Sequence, residues 1–501
     1  MGARMSGTTT FTVATAAELN AAIDAIDIGG SAASPNTAYV IQITTDLSLT
    51  SDIPAIDLAV GDTLSIQGDN ADNTNLSAVI DGGGSRGFVV NSGSVEIANL
   101  SLIAMTAPGG TGGTPGGGGA LYVGAGASVA TSSVSFSGDS ASGGTPAGGA
   151  VFVAQGGNFS VSGGSIAGSG NAAGNGIFIQ GNGSITLSGA TVTGVIADQT
   201  GSHLGSGAGS VITQGDVTLS ATDKYTGGTQ INGTLSLMAP GAAGSGAITF
   251  GAATGDTLAI GAGDTTSNQI DGFVVSAGTG SPTSNVIDLQ GIGLATSYTL
   301  AAGNQLTVYG ATGTVTLNLD PTQNYANDSF VLQADAGTGT AVTLAQTGFV
   351  VGSEADLNAA LALIDVGGKF AAPGVSYTIS FTANFALTTD LYAINLAGGS
   401  SLTIDGAGFT LDGGSTYRGF FDYAGGLTLE NLTVQNAVAA GGAGGSGAAP
   451  GGGGAGLGSG LFVASGGAAT LSNVTFLNDQ AVGGAGGAIG TGVGGGGGLG
   501  G

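Results

Sequence analysis

Few side chains in this chain could carry out covalent chemistry. It holds one histidine, no cysteine, two lysines (Lys224 and Lys369) and three arginines (Arg4, Arg86 and Arg418). His203, in DQTGSHLGSG, is the sole base that a Ser–His–Asp relay could use. Its glycine-rich surroundings predict a loop tip instead, because such a relay needs a buried carboxylate to orient the imidazole. A zinc site would need several His or Cys ligands and is excluded by count. Arg86 and Arg418 occupy matching stretches, IDGGGSRGF (80–88) and LDGGSTYRGF (411–420). They are the candidate ligand contacts, since a guanidinium can anchor a carboxylate or a sugar. The favoured reading is plainer: each pairs with a nearby aspartate, Asp81 or Asp412, and covers a turn. Asp81, Asp405, Asp412 and the DNADN of 69–73 could hold calcium. Neither a D-x-D-x-D-G loop nor a GGxGxD repeat is present, however, and Asp-Gly is foremost turn chemistry. No metal or cofactor site is expected.

The elements that position these residues are duplicated. TAAELNAAIDAIDIGG (15–30) and SEADLNAALALIDVGG (353–368) space Leu19, Ile23, Ile26 and Leu357, Leu361, Ile364 on one helical face. Thr15 with Glu18, and Ser353 with Asp356, form the amino-terminal caps, and the closing glycines end each helix. Capping α-helices are therefore predicted at about 15–27 and 353–366. The likeness continues downstream. LTSDIPAIDL (49–58) answers LTTDLYAINL (387–396), and TSSVSFSGDSASGG (131–144) answers LSNVTFLNDQAVGG (471–484). Phe88/Phe420, Phe136/Phe476 and Tyr122/Phe462 recur as pairs and are expected to stack in a core. Between helices, short period-two strands flank turns near Asn99, Ser133, Gly163, Gly189 and Ala221, 26 to 34 residues apart. Such units cannot bury their own apolar side and must stack, which predicts an all-β fold, a duplicated parallel β-helix. An amphipathic helix laid over the first coil would cover its open core and unpaired strand edge. The expected division is 1–215, an amino-terminal β-helix; 216–348, further coils; and 349–501, a second copy cut off within a glycine tract. The tracts at 108–119, 441–460 and 483–501 are expected to be loops.

Composition narrows the function. The 501 residues include 104 glycines, no tryptophan and only 7% charged residues, yet 42% are apolar, enough for a core. Thirty-one acids against five bases leave a net charge of −26, a field that repels nucleic acid, anionic lipid and polyuronides. No run approaches 18 consecutive apolar residues, and MGARMSGTTTF lacks a signal-peptide core.

Two segments resemble a known family. DKYTGGTQINGTLSLMAPGAAGSGAITFG (223–251) is similar to the autotransporter-associated β-strand repeat, a YTGGT…I.GTL.L…GSGAI.F pattern. The run from IDG to GG over 404–484, echoed at 66–144, resembles the glycine-rich passenger domains of large bacterial autotransporters and surface adhesins. Segment 256–346 resembles modules of very large repetitive secreted proteins. The resemblance implies type V secretion, a right-handed β-helix and display on the bacterial surface or outside the cell. It brings no shared catalytic residues. The expectation is a binding or spacer protein, not an enzyme, that meets glycans or proteins and not nucleic acid. Membrane attachment would come through a carboxy-terminal region outside this segment. A β-helix polysaccharide lyase or hydrolase is the first alternative, but it calls for clustered acids or an Arg/Lys base. A purely structural stalk is the second.

Overall fold

The computed structural model describes residues 8–69, 77–108, 117–143, 146–170, 172–251, 255–263, 266–274, 285–325, 328–447 and 450–488. Period-two alternation governs it from the first strands. In Ala38–Ile43 the aliphatic and aromatic positions Tyr39, Ile41 and Ile43 are buried, while Ala38, Val40 and Gln42 are only half-buried. The strand pairs in parallel with Thr63–Gly68, Ile41 opposite Ile66. That column continues through Ile97, Thr131, Val161, Leu187, Thr213 and Ile231, one residue per tier and each in register with the last. Every member is buried. Each aliphatic so covered contributes about 1.5–3 kcal/mol, an upper figure because the unfolded chain already hides some surface. The fold is all-β with large parallel sheets.

The turns between strands follow a matching column. Asn99, Ser133, Gly163, Gly189 and Gly215 all take positive φ, between 54° and 70°. Asn and Gly enter this region most readily, which explains their recurrence there. The turn predicted near Ala221 falls instead at Gly215, whose φ is 60°. In the second copy the same place is held by Asn431 and Asn473, whose side chains hydrogen-bond to one another at 3.0 Å.

The chain forms two compact units. The first comprises Met1–Val274, Thr283–Gln323 and Leu332–Thr343. It opens with helix α1 (Ala16–Ile26), capped by Thr15 and buried through Leu19, Ala22, Ile23 and Ile26. The parallel ladder runs from Thr8–Val13 through Ser210–Leu219 into Thr229–Leu237 without a break, and on to Val286–Leu289. Residues 229–250, which carry most of the YTGGT-type motif, are thus one more tier of the stack. Past Val286–Leu289 the expectation of further parallel coils holds only for Gln269–Asp271 on Thr314–Leu319. Ser297–Ala301, Gln305–Tyr309 and Thr314–Leu319 form an antiparallel meander, and Val286–Leu289 also pairs antiparallel with Thr340–Gln346. The cause is loop length. Three residues, with Gly303 and Asn304 in the left-handed region, reverse the chain after Ala301, whereas a parallel return needs a dozen or more.

The second unit comprises Val275–Pro282, Asn324–Val331 and Leu344–Gly501. It begins the scheme again with Gly348–Val351 and helix α2 (Glu354–Ile364), whose Leu357, Ala360, Leu361 and Ile364 join the core. Its ladder is parallel throughout, from Gly348–Val351 through Ser376–Phe381, Ser401–Asp405 and Phe420–Gln435 to Leu461–Leu477. As expected, Leu427, Leu429, Leu432 and Val434 face inward around Asn431.

The described parts of the glycine tracts here, 441–447, 450–460 and 483–488, are tied together by backbone bonds and are not free loops; 489–501 lie outside the described residues. Amides of Gly441, Gly444 and Gly447 donate to carbonyls of Val482, Ala485 and Ala488, a strict period of three. Gly451 and Gly454 donate to Gly445 and Gly442, and Gly484 and Gly487 to Gly454 and Gly451. The donors recur at every third residue, and each stretch is held by bonds to stretches beside it. Added Cβ atoms at Gly441, Gly453 and Gly484 would sit about 2 Å from backbone atoms, so only glycine fits the bundle's interior. Of the 108–119 tract, 109–116 lie outside the described residues.

Candidate functional site

Arg86 is positioned by the turn after Ala78–Asp81. Its amide donates to the Asp52 carboxylate at 2.7 Å, and Nη2 donates to the Gly117 carbonyl at 2.6 Å. The guanidinium carbon lies 5.3 Å from the centroid of the Tyr122 ring. Tyr122, Phe152 and Phe178 stack in succession at 5.3 and 5.4 Å on neighbouring strands. Burial pulls the Arg86 pKa below its ordinary value, against the opposing pull of Tyr122 and Asp52. Its Nε is buried without a hydrogen-bond partner. Arg418 repeats the theme: its amide donates to Asp390 at 2.9 Å and its guanidinium lies 5.8 Å from the Phe421 ring.

The expected pairing of these arginines with Asp81 and Asp412 is not what holds them. Asp81 accepts from the Gly83 amide, two residues on, and Asp412 from the Gly414 amide and the Gln435 and Asn436 side chains. Carboxylates committed to their own turns leave the guanidinium to aromatic faces and carbonyls, where a cation gains about 0.5–2 kcal/mol. An arginine so used is mainly a cover for an aromatic stack.

Other aspartates do work that sequence reasoning missed. Asp27 accepts from the Asp57 amide, Asp52 from Arg86 and Asp139 from Met105, all across tiers. The second unit repeats this with Asp365 to Asn395, Asp390 to Arg418 and Asp479 to Ala437. These carboxylates satisfy backbone donors that the strand ladder leaves open. The signal was visible, since all three aspartates recur in both copies. Burial pushes Asp139 up to about 7 and Asp27 and Asp365 up to about 6, each opposed by the amide it accepts. Asp223 is raised well above its usual range by burial, and Asp422, with no exposed surface, is raised for the same reason. Shifted acids of this kind mark catalytic sites when a substrate can reach them. Asp139 and Asp422 are fully enclosed.

A groove of about 660 Å³ lies beside α2, lined by Glu354, Asn358, Phe385 and Tyr392 among others. The Glu354 carboxylate accepts from the amides of Thr388 (2.5 Å) and Thr389 (3.0 Å) and from both hydroxyls. Burial raises its pKa, but the four donors outweigh this and hold it below the usual range. A carboxylate kept ionised and saturated is a clamp between helix and strand tier, not an acid–base group. Ala16 stands at this place in the first unit, so the clamp belongs to the second alone.

His203 sits exposed in a turn with φ of 59°, the loop tip expected. No group of three or more His, Cys, Asp or Glu residues that could hold a metal occurs among the described residues. Of the DNADN run, 70–73 lie outside them. No helix among them is long and apolar enough to cross a membrane. Compared with known proteins, the chain matches no protein-family model and no curated protein.

Proposed function

We propose that the chain is passenger material of a bacterial autotransporter or a related large surface adhesin, two right-handed parallel β-helices serving display and binding without catalysis. The observation that carries this reading is the course of residues 229–250. The motif that resembles the autotransporter-associated repeat is a tier in parallel register with its neighbours and no detached module. A solenoid of such tiers offers long, shallow faces suited to weak, multivalent contact with glycans or proteins, or to spacing another domain from the cell. The net charge of −26 opposes polyanionic ligands such as nucleic acid and uronates. The shifted carboxylates support the same reading, because Asp139 and Asp422 lie where no substrate reaches them.

Protease shaving of intact cells that express the protein tests its location. Cleavage without lysis is expected, and a chain cut only after lysis would end the passenger reading. Binding is tested on arrays of neutral glycans and host proteins. Release of product from a polysaccharide, lost on R86A and R418A in protein that still folds, would replace the passenger with a lyase or hydrolase.

A further inference from the structure

The groove beside α2 in the second unit is lined by side chains that the duplicated stretches of the first unit do not have. Phe385 stands where the first unit has Leu47, Tyr392 where it has Pro54, and Ala362 where it has Asp24. The places correspond in the fold too, since Phe385–Ala386 pairs with Leu411–Asp412 as Leu47–Ser48 pairs with Ile80–Asp81. At this place the second unit has one carboxylate fewer and two rings more. Tyr392 is 55% exposed, and Phe385 is half-buried, 4.9 Å from the Phe381 ring. On the helix, Ala355, Ala359 and Ala362 follow at four and three residues, a face of small side chains that leaves the rings approachable.

Asn358 adds a polar group beside the open ring. Its Oδ1 accepts the Tyr392 amide at 2.9 Å. An amide N–H bonds only to the oxygen, so the side chain is held with Nδ2 as its remaining donor, and among the described residues Nδ2 has no partner. The first unit keeps the asparagine but not this arrangement. Pro54 has no N–H to give, and Asn20 Oδ1 is buried without a partner.

Charge selects the occupant. The one charged side chain lining the groove, Glu354, is saturated by the amides and hydroxyls of Thr388 and Thr389. Alanine in place of Asp24 leaves no spare carboxylate for a cation, and a net charge of −26 opposes an anion. Ring faces, methyl groups and an amide donor remain. They complement a neutral pyranose, whose C–H bonds lie on one face and whose hydroxyls ring its rim, because an aromatic face is the negative side of the ring's quadrupole. The volume of about 660 Å³ suits a small ligand. We infer that this groove binds a neutral oligosaccharide, the C–H face of one sugar on Tyr392 and a hydroxyl oxygen accepting from Asn358 Nδ2. The inference rests on the binding role proposed above and gives that role a ligand class and a place.

Saturation-transfer NMR and calorimetry of the full 501-residue chain with cellohexaose, xylohexaose, maltohexaose and chitohexaose test this. At least one is expected to bind with a millimolar or tighter dissociation constant. Y392A should weaken that binding at least about tenfold, whereas Y392F, which keeps the ring, should change it by no more than about twofold. Tyr392 is exposed, so Y392A should keep its circular dichroism spectrum and thermal transition. Y423A, at another open ring of the same unit, should bind as the parent does. No binding of any of the four sugars, binding that Y392A leaves intact, equal loss in Y423A, or choline binding that A362D strengthens would each overturn the inference. Sugar binding that Y392A leaves intact would remove this site and keep the binding role, while protease shaving of cells judges display separately.

Discussion

Asp139 shows how one side chain can set a property of the protein. Its carboxyl accepts a backbone amide across tiers, and burial raises its pKa to about 7, above roughly 3.9 in an unfolded chain. Between those values the folded state binds the extra proton, so its stabilisation is complete below pH ~4 and lost as pH rises toward ~7. Asp27 and Asp365, raised to about 6, act with the same sign over pH ~4–6. Urea midpoints are therefore expected to be higher at pH 5 than at pH 8, with a shallower slope in D139N. A midpoint that climbs with pH would refute this account. Arg86 makes a second case. R86A removes the bond to Gly117 and the contact with Tyr122, an expected loss of about 1–3 kcal/mol in chemical denaturation. R418A should cost less, because among the described residues its side chain stacks on Phe421 and makes no bond like that of Arg86 to Gly117.

At the scale of elements, the helices and the glycine bundle behave differently under substitution. Leu357 on α2 is fully buried in the core of the second unit, and L357D is expected to cost several kcal/mol there. An unchanged thermal profile would show that α2 does not seal that core. E354A removes the acceptor for the Thr388 and Thr389 amides, so hydrogen exchange at those two amides should quicken. In the bundle, position decides the outcome. A Cβ on Gly484 would lie 2.1 Å from the Gly442 carbonyl oxygen, whereas one on Gly442 meets nothing within 4 Å. G484A should therefore speed exchange across 441–456, while G442A leaves it unchanged. Equal effects would argue against period-three packing.

For the whole molecule, two units with separate starts and separate capping helices should unfold with some independence. The buried core that holds Leu357 runs from Val331 to Ala437. L357D is accordingly expected to shift one of two calorimetric transitions and leave the other in place. One transition moving as a whole would show that the units unfold together.

Much of this architecture was legible because it is local or repeated. The caps at Thr15 and Ser353, the inward row Leu427, Leu429, Leu432 and Val434, and the turn at Asn431 all follow from spacing within a few residues. Duplication exposed the two capped helices. What the sequence left undecided depended on partners far along the chain. Whether Arg86 would meet Asp81 or Tyr122 turned on which donor the Asp81 carboxylate had already taken. The glycine tracts carry no side-chain pattern, so bundle and loop look alike until backbone amides at 441–447 find carbonyls at 482–488. The end of the parallel ladder was hidden for the same reason. The strands from 297 to 319 alternate like those before them, and only the short reversals at Gly303 and Gly310 made them antiparallel. A pattern of period two determines that a strand forms and which face it buries; the direction of its neighbour is decided by the length of chain that brings that neighbour back.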